Sequence, residues 1–567
     1  EPPVIKPSKQ DTQKDPTISI DGKTALLGDK VYYRVNIDAS RLTDTAYKVW
    51  RLGMTDDYDQ EYLTLDAKHV EILDETGRDR TGEFNIQDKD GVLYAFAKTV
   101  DTEIPATGET VKGDPQPGDL KAYSEKSDKD YDPLKDPSID QSLLGHTYQV
   151  VMPMTVIKVK DGHTVENTAT QVTNDKRDKT NTVTNPLKEI NPTKDVTVQV
   201  GGDSIDGKSV YLNHTFLYRL DSSILPPDRA YQTVTDWGGT DQLATEYDQY
   251  LGNWAVYASR DLYRDGQVLA ARGEKIAGSG FDSSKFGGNL FTVDADDNGK
   301  VTADATQTYL DLVSADNEHE AGWVLYLQCK RIAVADEVPN TWTETINGQP
   351  RESNKVVTKT PDMTPSIHLE KVDTPTLKQD GQEQADRDDP KQALKMDADS
   401  IGITFIITNT SKTDPATGDG AWFKASDLNL ADSTIVGDAH VDMDSLTYPD
   451  NWDTLVLKPG ESVSVTGTLK GVKEGDTHTD RAIVTGTPLV ECAPSNGDPF
   501  NDKTDGGEDT DPEYSTGDVT EIDGKQLCAD TQTTSNTDDW NGYRAKPLAS
   551  TGTAVLGLAG GALAVLL

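Results

Sequence analysis

Three cysteines are the residues whose positions most directly predict a covalent bond. Cys492 and Cys528 lie in one acidic, glycine-rich region and are predicted to close a loop as a disulfide, which requires an oxidising compartment. Cys329 lies in an alternating strand pattern, so its predicted role is that of a small buried apolar residue. No set of cysteines and histidines has the spacing of a zinc site.

Carboxylates are the second group of residues whose spacing could predict a site, in this case a calcium site. The run Asp294-Ala295-Asp296-Asp297-Asn298-Gly299 matches the opening of an EF-hand loop, but Ala305 stands where that loop needs a glutamate. A hairpin turn at Asn298-Gly299 is therefore favoured. Metalloprotease, P-loop and nucleophile-elbow motifs are absent from the sequence, and its eight histidines are scattered. The sequence predicts no enzyme with turnover.

The composition limits the class of partner. The chain of 567 residues carries a net charge of -42, from 97 acidic and 55 basic residues. Such a charge argues against binding to nucleic acid or to an anionic membrane. The length predicts about three to four domains. Because the sequence begins at Glu1 without an initiator Met or an apolar leader, we expect a mature form or a fragment.

Short strands must position whatever site the chain contains. Alternating or apolar runs, separated by Gly, Pro, Asn and Asp turns, occur at 31–35, 93–97 and 148–152. No long segment with a period of 3.6 residues interrupts them. The pattern is typical of β-sandwiches rather than of alternating strands and helices.

An internal repeat divides the chain. The segment Ser19-Ile20-Asp21-Gly22-Lys23 recurs as Ser204-Ile205-Asp206-Gly207-Lys208, and Tyr33-Arg34 recurs as Tyr218-Arg219, at a constant offset of about 185 residues. We therefore predict homologous domains at 1–189 and 190–361, followed by a different domain at 362–545. The short, proline-bearing joins at Asn191-Pro192 and Pro361-Asp362 predict an elongated, stiff stalk.

The C-terminal stretch carries a further signal. The pentapeptide Leu548-Ala549-Ser550-Thr551-Gly552 resembles the Leu-Pro-x-Thr-Gly signal of sortases. Sortases cut this signal between Thr and Gly and join the Thr to peptidoglycan. An apolar run, 553–567, follows. The open alternative is an apolar helix that packs on a domain or acts as a transmembrane segment, although the run is shorter than the roughly 20 residues needed. We expect 546–567 to be a cell-wall sorting signal of a secreted, anchored protein outside a Gram-positive cell.

Residues 1–360 also resemble a family. The run Asn191-Pro192-Thr193-Lys194-Asp195-Val196, with 206–208, 217–220, 56–60 and 166–169, resembles the C-terminal domains of the streptococcal antigen I/II adhesins. The resemblance implies Ig-like sandwiches, each with an internal isopeptide bond between a Lys on the first strand and an Asn on the last. Transferred by motif, the pairs are Lys9 with Asn167 and Lys194 with Asn340.

Such a bond needs an acid beside the lysine. The lysine amine must be neutral to attack, and a protonated Asp must polarise the carboxamide, so both groups must be buried. Asp56 is the candidate in the first domain, with Asp57 as second choice. Asp236 is the candidate in the second domain, because an Asp follows a Thr in both repeats, at Thr55-Asp56 and at Thr235-Asp236.

The third domain contains a related pair. Its strands resemble the Ig-like repeat domains of bacterial surface proteins, and an acidic stretch from Pro494 to Asp523 is predicted to be a long loop. Lys371 follows the entering strand, and Asp480 stands where related repeats often carry Asn. A Lys371–Asp480 isopeptide bond is one candidate, with a plain salt bridge or no contact as the alternatives.

The resemblance sets the functional expectation. It implies an adhesin that attaches to host or salivary-type glycoproteins or to other microbes, with sortase and peptidoglycan as further partners. No cofactor is required, but the family's calcium binding makes Asp57, Asp59 and Asp241 candidate ligands. A pilus subunit and the anchoring stalk of a larger surface enzyme remain the alternatives.

Overall fold

Three β-sandwiches follow one another along the chain. The computed structural model describes residues 3–374, 378–379, 382–383, 386–501, 503–507, 513–515 and 518–548. Strands dominate, which confirms the predicted all-β fold, and the α-helices are α1 (Leu120–Glu125) and α2 (Gln307–Ala315). Within the described residues, neither helix nor any other is long and apolar enough to cross a membrane.

The first sandwich, domain 1, packs two sheets around one apolar core. Its strands are β1 (Ser8–Thr12), β2 (Lys30–Asp38), β3 (Leu52–Asp57), β4 (Leu63–Leu65), β5 (Glu71–Asp74), β6 (Phe84–Lys89), β7 (Val92–Ala97), β8 (Thr99–Val100), β9 (Thr102–Glu103), β10 (Thr110–Val111), β11 (Ser138–Ile139), β12 (Thr147–Val156), β13 (Thr164–Asn167), β14 (Ala169–Thr173), β15 (Lys176–Lys179) and β16 (Val183–Pro186). One sheet has the order β1-β2-β12-β4, with β5 also on β12, and the other has the order β15-β14-β3-β7-β6. Alternation along β2 buries Val31, Tyr33, Val35 and Ile37 in this core.

Domain 2 repeats this plan. Its strands are β17 (Thr193–Thr197), β18 (Thr215–Asp221), β19 (Trp237–Gln242), β20 (Asp248–Ala258), β21 (Leu262–Arg264), β22 (Gln267–Ala270), β23 (Lys275–Gly278), β24 (Phe291–Ala295), β25 (Lys300–Ala305), β26 (Trp323–Arg331), β27 (Ala335–Asn340), β28 (Trp342–Ile346), β29 (Gln349–Glu352) and β30 (Val356–Thr360). The two sheets have the orders β17-β18-β26-β20-β23 and β24-β25-β19-β28-β29. Trp237, Trp323 and Trp342 fill the core between them. The EF-hand-like run 294–299 forms the β24–β25 hairpin.

Domain 3 is a smaller sandwich with a long loop. Its strands are β31 (Ile367–Thr374), β32 (Lys378–Gln379), β33 (Gln382–Glu383), β34 (Leu394–Lys395), β35 (Ser400–Asn409), β36 (Phe423–Lys424), β37 (Asn429–Val436), β38 (His440–Val441), β39 (Val456–Leu457), β40 (Ser462–Lys470), β41 (Thr477–Gly486), β42 (Leu489–Glu491), β43 (Thr520–Ile522), β44 (Lys525–Ala529), β45 (Thr533–Thr534) and β46 (Asp538–Tyr543). The main sheets have the orders β31-β35-β40-β38 and β34-β46-β41-β37. The acidic loop leaves from β42 and returns at β43.

Domains 1 and 2 meet through their backbones. The Thr24 N–H donates to the carbonyl of Asp228 at 2.8 Å, and the Ala230 N–H donates to the carbonyl of Thr24 at 2.7 Å. The Arg351 guanidinium donates to the carbonyl of Leu27 at 3.0 Å. Hydrogen bonds from main-chain and side-chain groups therefore cross the contact between the two domains.

Domains 2 and 3 meet through the acidic loop. Phe500 in that loop is fully buried against Tyr257 and Tyr326 of domain 2. The Tyr326 hydroxyl donates to the Asp505 carboxylate at 2.7 Å, and the Asp505 N–H donates to the carbonyl of Gly273 at 2.9 Å. The loop therefore attaches domain 3 to the side of domain 2.

Candidate isopeptide-forming sites

The site in domain 1 begins with a lysine on an edge strand. Lys9 lies on β1 opposite Val35 of β2, and its side chain enters the core, where it is fully buried. Its amine forms an ion pair with the carboxylate of Asp56, which is also fully buried on β3. The same amine lies 4.6 Å from the centre of the Tyr33 ring. Asp57, the next residue along β3, is exposed.

The third member of the site is a carboxamide without a partner. Asn167, at the end of β13, is 1 % exposed, and neither its Oδ1 nor its Nδ2 has a hydrogen bond within the described residues. It lies close enough to Asp56 to act on that carboxyl's pKa. Leaving a buried amide unpaired costs about 1–3 kcal/mol. An amide without partners beside a buried amine and a buried acid is a candidate reactant.

Burial shifts the pKa values of Lys9 and Asp56 in opposite directions. Loss of hydration lowers the pKa of Lys9, although Asp56 acts in the opposite direction. Loss of hydration raises the pKa of Asp56, against the influence of Lys9 and then of Asn167. Moving one proton from Lys9 to Asp56 turns a buried ion pair into a neutral pair. The products of that transfer are a nucleophilic amine and a carboxylic acid, the two species that amide exchange requires.

Domain 2 contains the same three groups in the same places. Lys194 on β17 and Asp241 on β19 form a buried ion pair, and the Lys194 amine lies 4.5 Å from the centre of the Tyr218 ring. Asn340, at the end of β27, is 5 % exposed and has no hydrogen bond to either side-chain atom within the described residues. Burial lowers the pKa of Lys194, with Asp241 opposing the shift.

The buried carboxylate that pairs with Lys194 is Asp241 and not the predicted candidate Asp236. Asp236 is exposed just before β19, where its carboxylate accepts from the Gly348 N–H at 3.2 Å. Asp241 lies inside the strand, on the face that turns toward Lys194. The repeat carried a signal for it, because Thr55-Asp56 and Thr240-Asp241 are separated by the same 185 residues as the other repeated segments.

A shared strand register relates acid and acceptor. Asp56 lies opposite Ala169, two residues after Asn167. Asp241 lies opposite Trp342, two residues after Asn340. Because side chains alternate along a strand, residues two apart point to the same face, which brings acid and acceptor together at the lysine.

Domain 3 follows the same register with a different acceptor. Asp432 on β37 lies opposite Ala482, two residues after Asp480 on β41. The Lys371 amine forms ion pairs with Asp432 and, at 2.5 Å, with Asp480. Burial raises the pKa of Asp432 to about 6, with Lys371 opposing and Asp480 adding to the shift. The position of Asp432 corresponds to the acid and that of Asp480 to the acceptor, and sequence reasoning missed Asp432.

Two further contacts complete the domain 3 site. The Nε2 of His478 lies 3.2 Å from Asp480, and both side chains are almost fully buried. The Lys371 amine lies 5.4 Å from the centre of the Phe405 ring, which lies directly opposite Lys371 on β35, whereas Tyr33 and Tyr218 lie opposite the residue two positions after their lysine. Lys371 therefore faces one aromatic ring, as in domains 1 and 2, but two carboxylates instead of one.

The remaining sequence candidates lie elsewhere. Cys492 and Cys528 form a disulfide at the base of the acidic loop, and Cys329 is free and buried. Leu548 is exposed, whereas Ala549, Thr551, Gly552 and the apolar run 553–567 lie outside the described residues.

The candidate calcium ligands do not converge. The Asp59 carboxylate lies 2.9 Å from the His163 Nε2, Asp241 pairs with Lys194, and Asp57 is exposed. Over the ranges described above, no three acidic, His or Cys side chains form a group that fits a metal ion. These residues do not fit a shared calcium site.

Domains 1 and 2 each match a known protein family. Residues 7–187 match the cell surface antigen I/II C2 terminal domain, and residues 191–361 match the cell surface antigen C-terminus. An aggregation substance of Enterococcus faecalis is 29 % identical over 388 residues, which are 65 % of this chain and 27 % of that protein. The chain thus spans about a quarter of that relative's length.

Solved structures of similar proteins include two streptococcal C-terminal domains. The Streptococcus pyogenes AspA domain is 22 % identical with a TM-score of 0.47, over 63 % of this chain and 100 % of its own. The Streptococcus agalactiae BspA domain is 18 % identical with a TM-score of 0.45, over 62 % and 99 % respectively. With both family models matched in order along residues 7–361, the chain belongs to the antigen I/II family of cell-surface antigens.

Proposed function

We propose that this chain is the cross-linked stalk of an adhesin anchored to a Gram-positive cell wall. Antigen I/II proteins are surface adhesins and not enzymes. The bonds at Lys9–Asn167, Lys194–Asn340 and Lys371–Asp480 form once in each molecule. They stabilise domains that hold a binding region away from the cell.

One observation carries the proposal. In all three domains a buried lysine on the first strand pairs with a buried acid. In each domain, the residue that lies opposite this acid on the neighbouring strand comes two positions after a buried acceptor. Packing alone has no need for a buried charge or an unpaired amide, both of which are costly. Amide formation converts the buried lysine amine, which can carry a charge, into an uncharged amide nitrogen.

The chemistry balances in each domain. In domains 1 and 2 the neutral lysine Nζ attacks the Cγ of the asparagine, the new C–N bond forms, and the bond to the amide nitrogen breaks. The protonated Asp56 or Asp241 polarises the carbonyl and supplies the proton with which ammonia leaves, and its carboxylate then takes up the proton that the lysine Nζ loses. In domain 3 the same attack on the carboxyl of Asp480 releases water, and Asp432 takes the place of the acid.

The expected gain is both thermodynamic and mechanical. A bond between Lys9 and Asn167 closes about 158 residues, which the loop-entropy model for cross-links values at roughly 4–5 kcal/mol. It also joins the first strand to a late strand of the same sandwich. Tension entering at one end of the domain would then pass through the cross-link and leave the intervening strands unloaded.

Anchoring and partners follow from the same proposal. Sortase would cut between Thr551 and Gly552 and join Thr551 to peptidoglycan. The adhesin's targets would be host or salivary-type glycoproteins or neighbouring microbes, recognised by parts of the protein beyond these domains. The net charge of -42 keeps such a stalk soluble and self-repelling.

Intact mass spectrometry of the purified chain tests the cross-links. After reduction of the Cys492–Cys528 disulfide, we expect a mass lower than that of the sequence by two ammonia molecules and one water. Peptide mapping would recover Lys9 joined to Asn167, Lys194 to Asn340 and Lys371 to Asp480. A full-mass chain, whose thermal stability is unchanged in Lys9→Ala and Lys194→Ala, would contradict the proposal. Incubation with a sortase and an amine nucleophile tests the anchor by the release of 552–567.

A further inference from the structure

A hydroxyl–asparagine dipeptide holds the lysine strand in domain 1. Lys9 lies on β1, the edge strand of its sheet, so its own N–H and C=O have no neighbouring strand on that side. The Asn181 side chain fills this role, because its Oδ1 accepts from the Lys9 N–H at 2.8 Å and its Nδ2 donates to the Lys9 carbonyl at 2.9 Å. One carboxamide thus pairs both backbone groups of the nucleophilic residue.

The preceding residue, Thr180, holds the acceptor side. The Ala169 N–H donates to the Thr180 Oγ1 at 3.0 Å, and that hydroxyl donates to the carbonyl of Asn181 at 2.8 Å. Ala169 is the residue that lies opposite Asp56 and two positions beyond Asn167. The dipeptide 180–181 therefore connects the strand of the nucleophile to the strand of acid and acceptor.

Domain 2 repeats these bonds almost without change. Asn354 accepts from the Lys194 N–H at 2.8 Å and donates to its carbonyl at 2.9 Å. The Trp342 N–H donates to the Ser353 Oγ at 3.0 Å, and that hydroxyl donates to the carbonyl of Asn354 at 2.8 Å. Trp342 again lies opposite the acid, Asp241.

Domain 3 has the same dipeptide, displaced by two residues on both strands. Asn536 pairs with the N–H and C=O of Leu369, two residues before Lys371, at 2.8 and 2.9 Å. The Val484 N–H donates to the Ser535 Oγ at 3.0 Å, two residues beyond Ala482. The backbone N–H of Lys371 donates instead to the Asp538 carboxylate.

We propose that Thr180–Asn181 and Ser353–Asn354 are positioning residues for isopeptide formation. They touch no reacting atom. They lock the edge strand in register with the acceptor strand, so that the lysine amine points at the acceptor carbonyl carbon. A slip of one residue would turn the lysine out of the core, and a displacement of about 1 Å in a reacting pair can cost roughly 100-fold in rate. This inference rests on the proposed cross-links.

The test measures the rate of bond formation in domain 2 of the full chain. The protein is made in a short cell-free pulse, samples are denatured at timed intervals, and peptide mapping gives the fraction of Lys194 joined to Asn340. The fraction of Lys9 joined to Asn167 in domain 1 of the same molecules serves as the internal reference. The variants are Asn354→Ala, Ser353→Ala and Ser353→Thr, the last of which keeps the hydroxyl and has the residue type found at Thr180.

Asn317→Ala is the matched control. The Asn317 side chain accepts from the Arg229 N–H at 2.9 Å and donates to the Arg229 carbonyl at 3.2 Å, the same two bonds as Asn354 makes but away from Lys194. Asn317→Ala should therefore lower the free energy of unfolding by about as much as Asn354→Ala does. A merely structural role would therefore slow bond formation equally in Asn354→Ala and Asn317→Ala.

The expected result is a separation of these variants. Bond formation slows by at least about tenfold in Asn354→Ala and by a few fold in Ser353→Ala, with parental rates in Ser353→Thr and Asn317→Ala. Equal rates in Asn354→Ala and Asn317→Ala would overturn the inference. If Asn354→Ala does not fold, the Ser353 pair decides, and equal rates there overturn it. An unlinked Lys194 in the unsubstituted chain would overturn the proposed function itself.

Discussion

Domains 1 and 2 place one carboxylate beside the lysine, whereas domain 3 places two. Lys9 and Lys194 each meet a single acid and an uncharged carboxamide, so the reactive neutral pair arises by moving one proton within the site. Lys371 meets Asp432 and Asp480, so the site carries one negative charge more than the lysine can balance. The acceptor's chemistry thus decides whether the site must take up a proton from outside.

The difference lies in charge rather than in geometry. All three sites share the strand register, an aromatic ring beside the amine and full burial of the lysine. An asparagine acceptor lets the reaction proceed without solvent protons but releases ammonia. An aspartate acceptor releases water and links bond formation to pH.

The largest expected effect separates Asp241 from Asp236. Asp241→Asn removes the proton donor beside Lys194 while keeping its shape, so we expect bond formation in domain 2 to slow by roughly 10²–10⁴-fold. Asp236→Asn, at the exposed position, should leave the rate unchanged. The measurement is the linked fraction of Lys194 after a timed pulse. Equal rates of bond formation in the two variants would contradict the assignment of Asp241 as the single acid of domain 2.

A second prediction concerns stability in domain 1. Asn167→Ala prevents the bond and leaves the Lys9–Asp56 pair in place, and we expect the free energy of unfolding to fall by roughly 4–5 kcal/mol. Calorimetry on the full chain would follow the transition of domain 1. Asn85→Ala is the control, because the Asn85 Nδ2 also lacks a partner within the described residues. A loss no larger than that of Asn85→Ala would mean that no bond stabilises the parent.

The third prediction tests the charge difference directly. Because burial raises the pKa of Asp432 to about 6, the site gains its extra proton as the pH falls through 6. Bond formation in domain 3 should therefore slow by roughly tenfold for each pH unit above 6, with little change in domain 2 over the same range. Domain 2 is the reference, because burial raises the pKa of Asp11, near Lys9 in domain 1, to about 7. Timed peptide mapping at several pH values measures all three bonds in one sample.

Asp480→Asn is the companion variant. It gives domain 3 the acceptor of domains 1 and 2, so the bond should release ammonia instead of water and lose most of its pH dependence. A pH profile that stays as steep in Asp480→Asn as in the parent would assign the dependence to another group.

The smallest expected effect is at His478, which has no counterpart in the sites of domains 1 and 2. Its Nε2 lies 3.2 Å from Asp480 but forms no hydrogen bond within the described residues. Loss of this weak polar contact should cost at most about 1 kcal/mol, so His478→Gln should slow bond formation in domain 3 by no more than about fivefold. Domains 1 and 2 of the same molecules should be unaffected, and a change in all three would indicate a general folding defect.

The sequence predicts the β-fold, because strand alternation is a local signal, whereas the candidate lysines and acceptors of domains 1 and 2 came from the resemblance of their motifs to the antigen I/II domains. The sequence indicated Asp236 rather than Asp241 because a two-residue context, Thr-Asp, occurs at both 235–236 and 240–241, and only the 185-residue offset separates them. That offset does not extend to Asn340, which lies 173 residues after Asn167, since the loops between the early and late strands differ in length.

Asp432 could not be identified from the sequence for a different reason. Domain 3 does not share the repeat, and the acid lies on a strand whose pairing with β41 depends on the tertiary fold. Nothing local marks it among the many acidic residues of the chain. Asn181 and Asn354 were missed likewise, because their partners lie more than 150 residues away in sequence.

The disulfide at the base of the acidic loop has a consequence for survival outside the cell. Exposed polar loops are where proteases cut most readily. The Cys492–Cys528 bond makes residues 492–528 a ring, so one broken peptide bond between those cysteines leaves the two halves joined through sulfur. Domains 1 and 2 then stay connected to whatever holds the C-terminal end. Shedding the protein at this loop requires a reductant as well as a protease.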